Sequence, residues 1–258
     1  MMAREMNIYH ISYTPRFLGE SMAMVYFEGC NFRCESCLRK RSESNIYGEE
    51  KRYIQWDMEH ILELLDEIAP RKIYLEGYEP TMDPDLVDIV SRISTPDRQI
   101  TLMTNGSLID ETMARELILA GLDQFIIGVK AFDDIKHREY TGLSNRGVLR
   151  AIEILASMDD MDFNLQVETI LLPGVNDADD VEGLAQFISS LDPSISLFIE
   201  PFIPSGERGK EPTREDLIRA MSGAMRHLYI CSYHPLFSEI QAMRSSTRRS
   251  MFVDVFPE

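Results

Sequence analysis

Short apolar runs alternate along the chain with stretches whose apolar positions recur every three or four residues. Residues 22–28 form the first such run and predict a strand. Met58, Ile61, Leu62, Leu64, Leu65 and Ile68 then fall at helical spacing, and residues 72–75 make a short β-type run ending at Gly77. The rhythm continues as helix at 84–93, strand at 99–103, helix at 110–120 and strand at 124–129. Residues 146–157 place Val148, Leu149, Ile152 and Leu155 on one helical face. Strand 165–172, helix 178–191, strand 196–202 and helix 213–228 complete the series.

Six strands alternating with helices predict an α/β fold with a parallel sheet and right-handed crossovers. Such a chain suits an open partial (β/α)6 barrel of the TIM type, or a doubly wound sheet. In either, ligands gather beyond the carboxyl ends of the strands. The expected layout is an N-terminal arm over 1–21, punctuated by Pro15 and Gly19, a partial barrel over 22–228, and a C-terminal extension over 229–258 that packs back on the barrel. Residues 251–256 are a candidate last strand.

Composition narrows the function. Among 258 residues, 43 acidic against 26 basic side chains leave a net charge of −17, which argues against a general nucleic-acid binder. The simpler reading of that excess is an adaptation for solubility, such as a salty cytoplasm demands. The basic run Arg39, Lys40, Arg41 is first a solvated patch, and second a docking point for a substrate or electron donor. Nothing approaches 18 consecutive apolar residues, so no membrane partner is expected. No apolar stretch of signal-peptide length opens the chain, and four cysteines make no disulfide framework. A reducing, cytoplasmic setting is the expectation.

The cysteines carry the chemistry. Cys30, Cys34 and Cys37 follow the first strand in a C-x3-C-x2-C spacing. An odd number of thiols on one loop cannot pair off. A structural zinc site would want a fourth ligand, and the remaining cysteine, Cys231, is distant and solitary. An iron–sulfur cubane held by three thiolates keeps one iron open to another ligand. Buried structural thiols are the bland alternative.

This spacing after a first strand resembles the signature of the radical S-adenosylmethionine (radical SAM) superfamily, although Ser36 stands where an aromatic residue is usual. The resemblance implies one [4Fe–4S] cluster on Cys30, Cys34 and Cys37, with S-adenosylmethionine chelated to the open iron through its amino and carboxylate groups. One electron, from a flavodoxin- or ferredoxin-like donor, would cleave it to a 5′-deoxyadenosyl radical that abstracts hydrogen.

Further stretches extend the likeness over about 22–227. Gly77, Tyr78, Glu79 and Pro80 resemble the Gly-Gly-Glu-Pro that binds the methionine amino group, with Tyr78 in place of a glycine and Glu79 the implied partner. Thr104, Asn105 and Gly106 resemble the Thr-Asn-Gly of enzymes that activate glycyl-radical proteins, such as the pyruvate formate-lyase activating enzyme. Met103 stands where those have aspartate, which leaves a cation site unsupported.

Lys130, His137, Thr141 and Gly142 match a further stretch near the nucleoside, with Gly128 replacing an aspartate. By this resemblance Gly77, Tyr78, Glu79, Thr104, Asn105 and Lys130 bind the cofactor. An acidic substrate group and a structural ion pair are the alternatives for Lys130; His137 reads as a loop hydrogen-bonder. Asn176 or Asp177 is expected to cap the helix at 178, and Glu200 to be a strand-end acid open to substrate. An activase would take hydrogen from a protein partner; a small-molecule substrate and a non-catalytic cluster-binding protein are the alternatives.

Overall fold

The computed structural model describes residues 7–17, 19–37, 57–204, 209–234, 236 and 253–255. The run Arg39, Lys40, Arg41 lies outside them. Strands β1 (Ile8–Phe17), β2 (Glu20–Phe27), β3 (Lys72–Gly77), β4 (Gln99–Thr104), β5 (Gln124–Val129), β6 (Asn164–Leu171), β7 (Ser196–Pro201), β8 (Cys231–Tyr233) and β9 (Val253–Val255) form one open sheet in the order β8-β7-β6-β5-β4-β3-β2-β1-β9. From β2 to β8 every neighbouring pair is parallel. The helices between them are α1 (Met58–Ile68), α2 (Leu86–Ile93), α3 (Glu111–Leu119), α4 (Asp134–Thr141), α5 (Arg146–Ala156), α6 (Ala178–Leu191) and α7 (Arg214–Ala224).

The six expected strands are β2 to β7, and the sheet grows beyond them at both edges. Within the segment read as an arm, β1 folds back antiparallel on β2, with Ile11 opposite Val25 and Tyr13 opposite Ala23. Gly19 turns that hairpin at φ +96°. In the C-terminal segment β8 continues the parallel run, and β9 pairs antiparallel with β1.

Side chains alternate across the sheet. On β5 to β7, Phe125, Ile127, Val129, Val167, Leu171, Leu197 and Ile199 enter the main core. There they meet Val148 and Ile152 of α5 and Val181 and Ile188 of α6. Burying each large aliphatic side chain stabilises the fold by roughly 1.5–3 kcal/mol. The opposite set, including Gly128, Glu168, Ile170, Phe198 and Glu200, lines the inner face, which no helix covers among the described residues. The outer face holds the fold together; the inner face keeps polar side chains at the strand ends.

Helix starts are set by side-chain caps. Asp57, Asp110 and Asp133 accept from the backbone N–H three residues on, at 2.9, 2.8 and 2.9 Å. Each such cap contributes about 1 kcal/mol. The sequence pattern missed α4, whose buried positions are only His137, Tyr140 and Thr141. This helix matters because its last turn touches the cysteine loop.

Candidate functional site

The cysteine loop leaves β2 and is fastened from three sides. From the end of β3, the N–H groups of Tyr78 and Glu79 donate to the carbonyls of Phe27 at 3.0 Å and Gly29 at 2.9 Å. From the end of β4, Asn105 Nδ2 donates to Asn31 Oδ1 at 2.8 Å, and Asn31 Nδ2 donates to Ser107 Oγ at 2.8 Å. From α4, the carbonyls of Thr141 and Tyr140 accept from the N–H groups of Arg33 at 2.7 Å and Glu35 at 3.2 Å. These are the orphan acceptors that end any helix. The loop is therefore placed before any ligand arrives.

Phe32 is buried at the loop's centre, its ring 5.3 Å from and nearly perpendicular to that of His137. His137 donates from Nδ1 to the Leu143 carbonyl at 2.8 Å, and burial holds its pKa below the ordinary histidine value. It is a neutral wedge under the loop rather than a proton donor. Its Nε2 has no partner among the described residues.

The thiols fit a cluster. Cys30, Cys34 and Cys37 are half-buried, and none is in a disulfide. Burial, above all, pushes the Cys30 thiol up to about 11, and the nearby charges of Glu79, Cys34 and Cys37 push the same way. Only the Phe32 N–H, 3.3 Å from Cys30 Sγ, opposes them. Such a thiol needs a positive metal centre to lose its proton. Among the described residues, no three of His, Cys, Asp and Glu converge as the ligands of one metal ion do. A structural zinc would want a fourth ligand, whereas a cubane held by three thiolates keeps one iron open.

Glu79 is fully buried at the end of β3. Its Oε1 accepts from the Thr81 N–H at 3.1 Å and from the hydroxyls of Thr81 and Thr104, both at 2.5 Å. Oε2 accepts from the Asn105 N–H at 2.7 Å. Burial drives this carboxyl above the usual carboxylate range, and the four donors pull it back only in part. Since protein donors engage both oxygens, Glu79 joins the β3 loop to the β4 loop. In this arrangement it serves a ligand through the backbone it holds.

Gly77 has φ +114°, whereas Tyr78 needs no positive φ, so the tyrosine is accommodated without backbone strain. A Cβ on Gly77 would stand 2.6 Å from the backbone nitrogen of Phe27 and 2.7 Å from its oxygen. Both are backbone atoms of the paired strand and cannot swing aside. Gly77→Ala is expected to destabilise the protein by about 3 kcal/mol or more. Thermal unfolding monitored by circular dichroism checks this; an unchanged midpoint would contradict it.

Thr104 and Asn105 are buried at the end of β4. Asn105 Oδ1 accepts from the Ser107 N–H at 2.9 Å and hydroxyl at 2.7 Å, while Nδ2 lies 4.0 Å from Cys30 Sγ. Gly106 takes φ +72° directly after. Lys130 is partly buried beyond the end of β5, and Gly128 makes room for it: a Cβ there would lie 3.2 Å from Lys130 Nζ. Burial opposes the Lys130 charge. The attraction of Glu168 first, then of Cys34, Cys37 and Glu200, more than offsets this and leaves the ammonium more firmly protonated than usual.

The outer expectations divide. Asp177 flanks α6, accepting from the Gly174 N–H at 2.9 Å, while its own N–H donates to Asp180 at 2.9 Å. Asn176 is buried instead, donating from Nδ2 to the Ile170 carbonyl at 2.6 Å and accepting from the Phe132 N–H at 3.2 Å. Glu200 does face the mouth, where its Oε1 lies 3.0 Å from His234 Nδ1. Sequence reasoning missed Glu168, His234 and Tyr140. Glu168 was open to inference, since the β6 positions on either side of it enter the core.

Comparison with known proteins places this geometry. Residues 24–188 match the family model of the radical SAM superfamily. A Methanocaldococcus jannaschii protein, provisionally named a glycyl-radical enzyme activating enzyme, is 26% identical over 224 residues, 86% of this chain and 82% of its own length. A GTP 3′,8-cyclase of Aquifex aeolicus is 27% identical over 203 residues, and the match spans 77% of this chain but 58% of the cyclase. Among solved structures, a domain of pyruvate-formate lyase-activating enzyme from Bacteroides vulgatus superposes with a TM-score of 0.55 at 19% identity, over 63% of this chain and 98% of that domain. SuiB of Streptococcus suis, solved with S-adenosylmethionine bound, superposes with a TM-score of 0.60 at 13% identity, over 89% of this chain and 51% of SuiB. At those identities the two structures establish a shared fold, the open partial barrel.

Proposed function

The chain belongs to the radical SAM superfamily, whose members use a [4Fe–4S] cluster and S-adenosylmethionine, and on that premise we propose that it abstracts hydrogen from a small polar substrate held on the inner face of the sheet. The observation that carries this reading is the thiol loop, fixed beside an inner face that bears Lys130, Glu168 and Glu200 at the strand ends. When bound, the cluster and S-adenosylmethionine supply one-electron cleavage of a sulfonium carbon–sulfur bond, and with it a carbon radical for hydrogen abstraction.

The chain's own groups do the rest. Cys30, Cys34 and Cys37 would hold the cluster, and the bonds from Asn105, Tyr140 and Thr141 keep their loop from shifting. Gly77 to Glu79 present backbone at the mouth, with Glu79 fixing its path. Tyr140, Leu172 and Phe202 form a small buried cluster against Cys34, which keeps water from that side of the loop. Lys130 brings positive charge within reach of Cys34 and Cys37, which moderates the negative charge of thiolates.

Activation or modification of a partner protein is the second reading, favoured by the relative that aligns over most of both chains. Adding fractionated lysate of the source organism to the reconstituted enzyme separates the two. Stimulation of S-adenosylmethionine cleavage by the low-mass filtrate is the expected result. Stimulation by the macromolecular fraction alone would overturn the small-substrate reading and favour a protein target.

A further inference from the structure

Two backbone N–H groups flank Cys34, and α4 engages both. The Arg33 N–H donates to the Thr141 carbonyl at 2.7 Å, and the Glu35 N–H to the Tyr140 carbonyl at 3.2 Å. Cys30 is treated differently, because the Phe32 N–H lies 3.3 Å from Cys30 Sγ. Donors near the thiolates matter, since hydrogen bonds to sulfur help to set the reduction potential of an iron–sulfur cluster. A donor stabilises the reduced, more negative state and so raises that potential. Committing two donors to a helix keeps it low.

The carbonyls of α4 are held in place by His137. Its side chain is fully buried, and Nδ1 lies 2.8 Å from the Leu143 carbonyl. A carbonyl cannot donate, so Nδ1 carries the proton. Thr141 Oγ1 lies 3.1 Å from the same nitrogen, donates to the His137 carbonyl at 2.8 Å and accepts from the Leu143 N–H at 3.2 Å. These bonds tie the last turn of α4 to the bend at Gly142, where φ is +84°. The ring also stands nearly perpendicular to that of Phe32, two residues before Cys34. The other nitrogen gains nothing: Nε2 is buried without a partner among the described residues, which works against stability. A leucine would fill the space without that penalty. The Nδ1 donor is what histidine supplies there.

We propose that His137 is a positioning residue for the iron held by Cys34. By locking the end of α4 it keeps the Arg33 and Glu35 N–H groups from the cluster, and so holds the cluster at a low potential. A low potential suits reductive cleavage of a sulfonium, which demands a strong one-electron reductant. The inference rests on the cluster reading of the thiol loop and is independent of the substrate.

The test is a redox titration of the anaerobically reconstituted enzyme, followed by electron paramagnetic resonance of the reduced cluster. His137→Leu should release the two N–H groups and favour reduction about tenfold, which raises the midpoint by about 59 mV for one electron. Thr141→Val should move it the same way. His137→Asn keeps a donor for the Leu143 carbonyl and should stay closer to the unaltered protein. Val181→Ala, which opens a cavity in the core at α6, should lower Tm and leave the potential in place. After exchange into D2O, electron–nuclear double resonance should find deuterons more strongly coupled to the cluster in His137→Leu than in the unaltered enzyme. An unmoved potential in His137→Leu with its iron retained, or an equal shift in Val181→Ala, would overturn the assignment. Hydrogen exchange in the unaltered enzyme keeps the proposal open to refutation even if the variants misfold. Slow exchange at Arg33 and Glu35 supports it, and exchange as fast as in an open loop overturns it. An enzyme that takes up no iron would sink the cluster reading as well; an intact cluster with an unmoved potential sinks this inference alone.

Discussion

Cys34→Ala is expected to leave a folded protein that cannot retain a complete iron–sulfur cluster, with S-adenosylmethionine cleavage at the level of a protein-free control. The fold should survive because Cys34 is only half-buried and the bonds that fasten its loop are made by backbone groups and by Asn31 and Asn105. The cluster should not, because a cubane that keeps one iron open is held by three thiolates, and removing one leaves a second iron without its protein ligand. Cys231→Ala is the matched control. Cys231 lies on β8 against the core, and its pKa is raised simply by burial, as for a structural thiol. Iron and sulfide content with visible absorbance read the outcome: loss in the first variant and retention in the second. Equal loss in both would show the loop not to be the cluster site.

The second large effect is expected at Glu79. Removing its carboxylate by Glu79→Ala strands two backbone N–H groups and two threonine hydroxyls in a buried junction. The expected destabilisation is on the order of 3 kcal/mol, since each buried donor left unmade costs about 1–3 kcal/mol and relaxation recovers part of the total. For a chain of this size that corresponds to a fall of about 6–12 °C in Tm. Glu79→Gln keeps one oxygen and should fall between the two proteins. S-adenosylmethionine affinity should drop with the loss of rigidity, because the same carboxylate links the β3 and β4 loops. Calorimetry on the three proteins reads this, and unchanged stability in Glu79→Ala would refute the junction.

These expectations show which features local sequence reveals. Cys30, Cys34 and Cys37 are legible because their ligand set is contained in one short loop. Strands β2 to β7 are legible because parallel strands under helices read as apolar runs. β1 escapes because residues at the sheet's margin alternate polar and apolar, and Pro15 argues against a central strand. α4 escapes because its charged residues face outward and its few buried positions serve the cysteine loop rather than the main core.

The role of Glu79 is illegible for another reason. Two of its donors, Thr104 and Asn105, are supplied more than twenty residues later by a neighbouring strand, and parallel register alone brings them together. Lys130 and Glu168 come to one face of the sheet in the same way, through the pairing of β5 with β6. Tyr78 shows the reverse case. Beside Gly77 the chain needs only one glycine conformation, so the sequence difference is absorbed without a change of backbone path.

The central claim is that the thiol loop supports radical chemistry. Its most direct test is to reconstitute the protein anaerobically, add dithionite and S-adenosylmethionine, and follow 5′-deoxyadenosine by chromatography. The account predicts product that requires the reductant, S-adenosylmethionine and all three of Cys30, Cys34 and Cys37. A protein with an intact cluster that neither binds nor cleaves S-adenosylmethionine would contradict it.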